Sequence, residues 1–553
     1  MISSFSAPSQ RMLFSMSEGI FLKRILKWIG SAKGKGAGFS FLSVGNLLIA
    51  FITYLRFAEI AKFFGTTWQT DAVSIALIIP LLLQQLISTA FGLSFMPIYS
   101  RVRHDKGNDA ANRLVSRIII WMTFGGLFLI GLTYIFRLDV IGVVGPGIAP
   151  STKVLASKVL SIFLPLVFLN GIEGVLQNFL TYAKRYGLVS FVRVLQILVS
   201  YIVVIEGHSR LGIMVIPVSG LVGAFTSFIV CAAMTFLFHL RLHPVLDPGD
   251  KDFRELLNLA VPISIGVLTG FLGPVADKVL ASFLRASSVT AIDYATRIKN
   301  LVRTVLIQPI IVLATVSFAR IAAERNLKKL KTEIADFIKL ISYYTVPTSG
   351  ILVVLSIPLI SILFQRGNFG PEQTRHVGYA LAFYSPWFAQ LGVGLIIRRA
   401  FYSIKETLIP VVLGIWAVIA NILLNIILIQ PMGIAGLALA TTLTSAAKTL
   451  FQMYFLRKRL GGINGSDFVP EYLKILAAAI VMVVFLVISG KVLPVDLNAS
   501  FFSRVYNLTL RVVPGILLYI AVTALLGSTT YRVYRNFIRR KLFSGKDTPA
   551  GLS

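Results

Sequence analysis

The chain has 553 residues, 56% of them hydrophobic and only 14% charged, with a mean hydropathy of +0.81. That composition excludes a soluble globular or disordered protein and describes a polytopic, all-helical membrane protein. The excess of 53 Lys and Arg over 23 Asp and Glu would suggest nucleic acid in a soluble protein; here basic cytoplasmic loops explain it, and no nucleic-acid partner is expected.

Residues 1–38 form a basic N-terminal segment. Its IFLKRILKWIG stretch reads as a short amphipathic helix lying on an anionic leaflet, and no apolar run with a small-residue cleavage site marks a signal peptide. Hydropathy then predicts fourteen spans, at about 40–64, 72–98, 114–136, 158–182, 187–206, 212–239, 256–284, 290–317, 338–364, 373–400, 408–430, 433–456, 471–493 and 508–530. Every second loop is basic: Arg101, Arg103 and Lys106; Lys184 and Arg185; Arg241 and Lys251; the 320–331 stretch; Arg398, Arg399 and Lys405; and Arg457 to Arg459. The intervening loops are far poorer in Lys and Arg, and the tail is basic again at Arg539, Arg540 and Lys541. This asymmetry puts both termini in the cytoplasm.

An internal repeat organises the spans. The stretch from Phe179 resembles that from Ala400, with Tyr182 facing Tyr402 and Gly212 facing Gly433; FFGTTWQTDAVSIA likewise resembles FLRASSVTAIDYAT, with Asp71 matching Asp293. The expected fold is therefore about fourteen transmembrane helices in two pseudo-symmetric six-helix lobes plus two C-terminal helices. The predicted boundaries are 39–245 and 246–460 for the lobes, 461–535 for the added helices and 536–553 for a basic cytoplasmic tail.

Few polar residues interrupt the spans, and a charge at the bilayer centre costs roughly 2.5 to 3.5 kcal/mol, so each needs a reason. In the first hairpin Arg56, Glu59 and Lys62 lie near the end of one span, Asp71 begins the next, and Gln84 and Gln85 sit within it. One explanation is an intrahelical ion-pair ladder with snorkelling stems. The other is a cationic cavity lining for an anionic substrate, completed on the eighth span by Arg297, Lys299 and Arg303. Arg297 is the strongest candidate, because a guanidinium can hold two phosphate oxygens at once. On the seventh span Asp277-Lys278 is either a self-neutralising pair or part of a cation-coupling site. In the latter case Asp277 joins Asn421, Asn425 and Thr441, whose hard oxygens suit sodium.

No enzyme constellation is present: there is no GxSxG, P-loop or HExxH, and His239 and His243 at metal-helix spacing read HLRLH without the glutamate. The single cysteine, Cys231, lies in an apolar run and excludes an intramolecular disulfide. With no nucleotide site, uphill transport must draw on an ion gradient or membrane potential, so no cofactor is expected beyond a sodium coupling ion.

LFQRGNFGPEQT (363–374), RRAFYSIKETLIPVVLG (398–414), the following NILLNIILIQPMGIAGLALATTL, and FFGTTWQTDAVSIALIIPLLLQQL and LASFLRASSVTAIDYATRI earlier resemble the lipid II flippases, the MurJ/MviN family of the MOP transporter superfamily. The resemblance covers nearly the whole chain. It implies a V-shaped, two-lobed transporter of the bacterial inner membrane that carries an undecaprenyl-diphosphate-linked saccharide outward by alternating access, expected to act as a monomer. It also implies diphosphate binding at Arg56, Lys62 and Arg297, places Asp71 at the family's aspartate beginning helix 2, and puts a sodium site at Asp277, Asn421, Asn425 and Thr441. Two departures stand out. The family's arginine pair after P-N-L-L is replaced here by Gln84-Gln85 in PLLLQQ, and the acidic residue before the second-half arginine is Thr296. They make an exopolysaccharide or O-antigen unit the alternative cargo. A cation-coupled multidrug antiporter fits less well, since clustered Arg and Lys repel cationic drugs; a membrane enzyme or a scaffold fits least.

Overall fold

The computed structural model describes residues 35–237, 245–247, 249–463, 465–533 and 535. The N-terminal amphipathic stretch, His239, His243 and the basic tail lie outside the described residues. Among those described there are helices and no strands. They run α1 Lys35–Phe64, α2 Trp68–Ala76, α3 Ile78–Ile135, α4 Arg137–Val144, α5 Pro150–Tyr182, α6 Tyr186–Leu211, α7 Val215–Leu237, α8 Lys251–Ala281 and α9 Ser288–Val302. After a π-helical turn, Arg303–Ile307, come α10 Gln308–Ala323, α11 Leu327–Phe364, α12 Pro371–Tyr384, α13 Trp387–Ser403, α14 Leu408–Met432, α15 Ile434–Leu460, α16 Gly465–Val492 and α17 Phe501–Leu525.

Every predicted span coincides with one or two of these helices to within a few residues, and residues 238 and 239 of the span 212–239 lie outside the described residues. Among the described residues ten runs are long and apolar enough to cross a membrane, or eleven if α12 and α13, bent by 43° at Ser385-Pro386, count as one broken span. One of the ten, Tyr186–Leu237, is 52 residues long, far more than the roughly 20 a bilayer needs. Dividing it at Gly212 into α6 and α7, and adding α1 and α8 of 30 and 31 residues, makes fourteen. Large apolar side chains stay exposed along them, including Phe128, Ile135 and Leu525, as expected of surfaces solvated by lipid. The protein is an all-α polytopic membrane protein.

The chain divides into two compact units. The first comprises Met1–Ile60, Ala76–Val140 and Ser157–Leu268; the second comprises Ala61–Ile75, Ile141–Ala156 and Thr269–Ser553. The turn between α1 and α2 thus belongs to the second unit, and α8 passes from one unit into the other. The first unit is held by a cluster around Phe95, Leu114, Ile118, Leu180 and Val192, with the free thiol of Cys231 buried in it. The second has one cluster around Phe318, Ile338, Phe388 and Phe401 and another in which α16 and α17 pack on α11 through Met482, Leu486, Tyr519 and Tyr343.

The sequence repeat is also a backbone repeat. α5 ends with Lys184 left-handed at φ 58°, Lys184 N–H donating to Thr181 O and Arg185 N–H to Leu180 O. Further on, Lys405 is left-handed at φ 61°, its N–H donates to Tyr402 O, and Glu406 N–H donates to Phe401 O. Gly212 (φ 53°) closes α6 on His208 O as Gly433 (φ 55°) closes α14 on Ile429 O. Both sets keep an offset of 221, so Tyr402 answers Thr181, one residue before the Tyr182 of the sequence pairing.

Candidate functional site

In the second unit the four residues expected to coordinate sodium come together. Asp277 on α8 is 4% exposed and lies amid an apolar helix bundle. Its Oδ1 accepts from Asn425 Nδ2 at 2.8 Å, and its Oδ2 from Thr441 Oγ1 at 3.0 Å and Tyr384 Oη at 3.1 Å. Asn425 and Asn421 share one face of α14, as their i, i+4 spacing requires, and bond at 3.3 Å; Asn421 Nδ2 in turn donates to Thr441 Oγ1 at 3.2 Å. Asn425 Oδ1 is buried and accepts no hydrogen bond. A buried amide oxygen without a donor is costly, and one beside a carboxylate is a ready cation ligand.

Asp277 and Lys278 do not form the self-neutralising pair, because successive helical residues face different directions. Lys278 Nζ instead meets Asp293 Oδ1 on α9 at 2.7 Å, and Ser74 also bonds that carboxylate. One turn after Asp293, half-buried Arg297 shares its charge. Lys299, 9% exposed, lies over the rings of Tyr384 and Trp387, 4.4 and 4.6 Å from their centroids, within the field of Asp277. Such ammonium–ring stacking compensates part of the burial. Arg303 begins the π-helical turn, Arg398 on α13 lies within its field, and Lys448 on α15 lies within that of Arg398. Among the described residues Arg398 and Lys448 have no carboxylate partner, so cations outnumber Asp277 and Asp293 on this face and an anion is its natural complement.

Asp71 and Lys62 also lie in the second unit. Asp71 is 5% exposed and accepts from Ser287 N at 2.6 Å, Thr290 N at 2.8 Å and Thr290 Oγ1 at 2.6 Å. It therefore caps the first turn of α9 from a different element, holding Ser287 at its left-handed φ of 79°. Lys62 has its ammonium over the Phe63 ring. Its carbonyl accepts from Asn368 N at 2.9 Å, and Phe63 O accepts from Asn368 Nδ2 at 2.6 Å. The RGNF element is thus a clasp on the α1–α2 turn. Gly367 (φ 56°) and Gly65 (φ 60°) are left-handed, and a Cβ on Gly367 would collide with Lys62 O.

In the first unit Arg56 is 9% exposed and donates to Ser219 Oγ at 2.9 Å and Ile216 O at 3.3 Å on α7. Gln84 is half-buried on α3 and Gln85 exposed. Sequence reading missed Glu173 of α5, 2% exposed, which accepts from Gln177 Nε2 and from Ser227 Oγ, both at 2.8 Å, while Arg193 Nε donates to Gln177 Oε1 at 2.8 Å. Its signal was a glutamate and a glutamine at i, i+4 inside an apolar run. Also missed were Tyr384, Arg398 and Lys448.

The family model "Lipid II flippase MurJ" matches residues 60–506, which include Asp71, Asp277, Arg297, Asn421, Asn425 and Thr441. The chain belongs to the MurJ family of lipid II flippases. The probable lipid II flippase MurJ of Buchnera aphidicola subsp. Acyrthosiphon pisum is 23% identical over 476 residues, 84% of this chain and 92% of that protein. The lipid II flippase MurJ of Thermosipho africanus is 23% identical over 510 residues, 91% and 98% of the two chains. Among solved structures, a lipid II flippase MurJ in an inward closed conformation superposes with a TM-score of 0.75 at 21% identity, covering 90% of this chain and 99% of that one. An inward-facing MATE multidrug transporter of the MOP superfamily gives 0.67 at 14% identity, over 78% and 99%. These two likenesses are of fold; the MurJ family match rests on sequence.

Proposed function

We propose that this MurJ family member is a flippase that carries lipid II, the undecaprenyl-diphosphate-linked peptidoglycan precursor, across the bacterial inner membrane by alternating access. The observation that carries the reading is the family match over residues 60–506, and the cation-rich face of the second unit supports it chemically. Arg297, with Arg56 and Lys62, meets the diphosphate, with Arg398 and Lys448 adding positive charge. Gln84 and Gln85 offer hydrogen bonds to the saccharide in place of two cations. Transport breaks no covalent bond, so these groups bind and release rather than catalyse. The protein works as a monomer with both termini in the cytoplasm.

Asp277, Asn421, Asn425 and Thr441 hold sodium, and Tyr384 orients the carboxylate; the unpartnered Asn425 Oδ1 and the all-oxygen donor set fit that ion. When bound, sodium supplies a positive charge beside Asp277 and couples transport to its gradient. The test is complementation in a bacterium whose own lipid II flippase can be shut off. Growth with the native chain is the expected result. Lysis despite normal membrane insertion moves the cargo to another polyprenyl-linked saccharide, the reading that Gln84 and Gln85 favour.

A further inference from the structure

Within the first unit, at the end carrying the basic α3 and α5–α6 turns, lies a cavity of about 830 Å³ that the transport reading does not use. Its walls carry Arg103, Lys184 and Arg185 with the amides of Asn108 and Asn112, and no carboxylate lines it. The backbone is shaped for it. Gly107, at φ 85° and ψ −179°, takes a conformation essentially reserved for glycine and interrupts α3. Beyond the break, Asn108 and Asn112 sit at i, i+4 on one face. Lys184 holds its left-handed conformation at the end of α5, where glycine would be the ordinary choice.

The floor is aromatic. Tyr99, 1% exposed, packs edge-on to Tyr182 with centroids 4.9 Å apart, and the Arg103 guanidinium lies 5.1 Å from the Tyr182 centroid. A side-chain hydrogen bond between Arg103 and Tyr99 also holds the guanidinium at this floor. Four carboxylates of the neighbouring segments are committed elsewhere, Glu255 to Arg101 at 2.7 Å, Asp252 to Lys106 at 2.6 Å, Asp250 to Arg117 at 2.9 Å and Asp105 to His104 at 2.8 Å, and exposed Asp109, beside Asn108, does not line the cavity. Among the described residues Arg103 and Lys184 have no acidic partner. A roomy pocket lined by three basic side chains and two amides, with no acid, is complementary to a phosphate that carries a further polar group.

We propose that this cavity is a binding site for a phosphate-bearing head group, supplied by an anionic membrane lipid or by a soluble phosphate ester, and separate from the transport site. Lys184→Gly is the informative substitution. It removes a charge while relieving a left-handed residue, so the variant keeps or gains thermal stability and lost binding cannot be blamed on unfolding. The full chain, with Arg297→Gln in the background to weaken pyrophosphate binding at the proposed cargo site, is titrated with sodium pyrophosphate by calorimetry in phosphatidylcholine nanodiscs. In parallel, mixed phosphatidylcholine–phosphatidylglycerol nanodiscs are analysed for retained lipid by native mass spectrometry.

The expected result is binding that weakens about tenfold with Lys184→Gly, the loss of one charge-assisted contact; Arg103→Gln serves as the second variant. A Lys184-dependent pyrophosphate signal assigns a soluble ester, and Lys184-dependent enrichment of phosphatidylglycerol alone assigns a lipid. If neither probe binds, or binding is the same in the variants, the site is refuted while the transport reading stands.

Discussion

Replacing Asp71 by alanine tests whether this residue fastens the first turn of α2 to α9 or instead serves the cargo. Its carboxylate takes three hydrogen bonds of 2.6 to 2.8 Å, two from backbone amides at the start of a helix. A hydrogen bond to a charged group contributes about 1.5–3 kcal/mol, losing an N-cap costs about 0.5–2 kcal/mol, and these overlap rather than add. Water reaching the two freed amides recovers part of the loss. Asp71→Ala should therefore destabilise the protein by about 3 kcal/mol. Asp71→Asn keeps one acceptor oxygen and should cost about half as much, and Thr290→Val, which removes one donor, about 1 kcal/mol. Reversible denaturant unfolding in detergent, with intrinsic fluorescence as the probe, measures all three against the native chain. Unchanged midpoints in Asp71→Ala and Asp71→Asn would refute the pin; unchanged midpoints with lost transport would return Asp71 to the cargo.

Gly367→Ala puts a side chain on a left-handed residue against Lys62 O; it should cost at least about 2 kcal/mol by the same unfolding measurement, and near-neutrality would mean the clasp yields freely. Sodium should stabilise the native chain over potassium at equal ionic strength, by about 2.7 kcal/mol at a hundred times its dissociation constant, and Asp277→Asn should abolish the difference. Equal melting temperatures in the two salts would remove sodium from the account.

The spans were legible because a long apolar run has only one solvent that suits it, and the repeat because both copies keep the same turn residues. The polar cluster around Asp277 was legible for a related reason: amides at i, i+4 on an otherwise apolar α14 must face something polar, and a carboxylate inside an apolar span needs donors. Tyr384 escaped because, with 373–400 read as one continuous span, a tyrosine in its middle reads as packing rather than as a donor beside a break. Arg398 escaped as a site residue because a cation at the end of a span reads as a basic loop, whereas Lys448 lies in the middle of α15 and was simply passed over. Asp71 shows a different limit. A carboxylate at a helix start reads as a cap for its own helix or as a cavity charge, whereas its partners lie 216 and 219 residues away. The bend at Ser385-Pro386 was read straight through, because the hydropathy on either side is continuous.

The most direct measurement is transport itself: the native chain and Arg297→Gln, each reconstituted in liposomes carrying fluorescent lipid II, with arrival in the far leaflet scored by a membrane-impermeant quencher. The account predicts transport well above protein-free liposomes and roughly tenfold slower transport with Arg297→Gln, the loss of one bidentate phosphate contact. Lipid II moving no faster than in protein-free liposomes, or equally fast with Arg297→Gln, would contradict it.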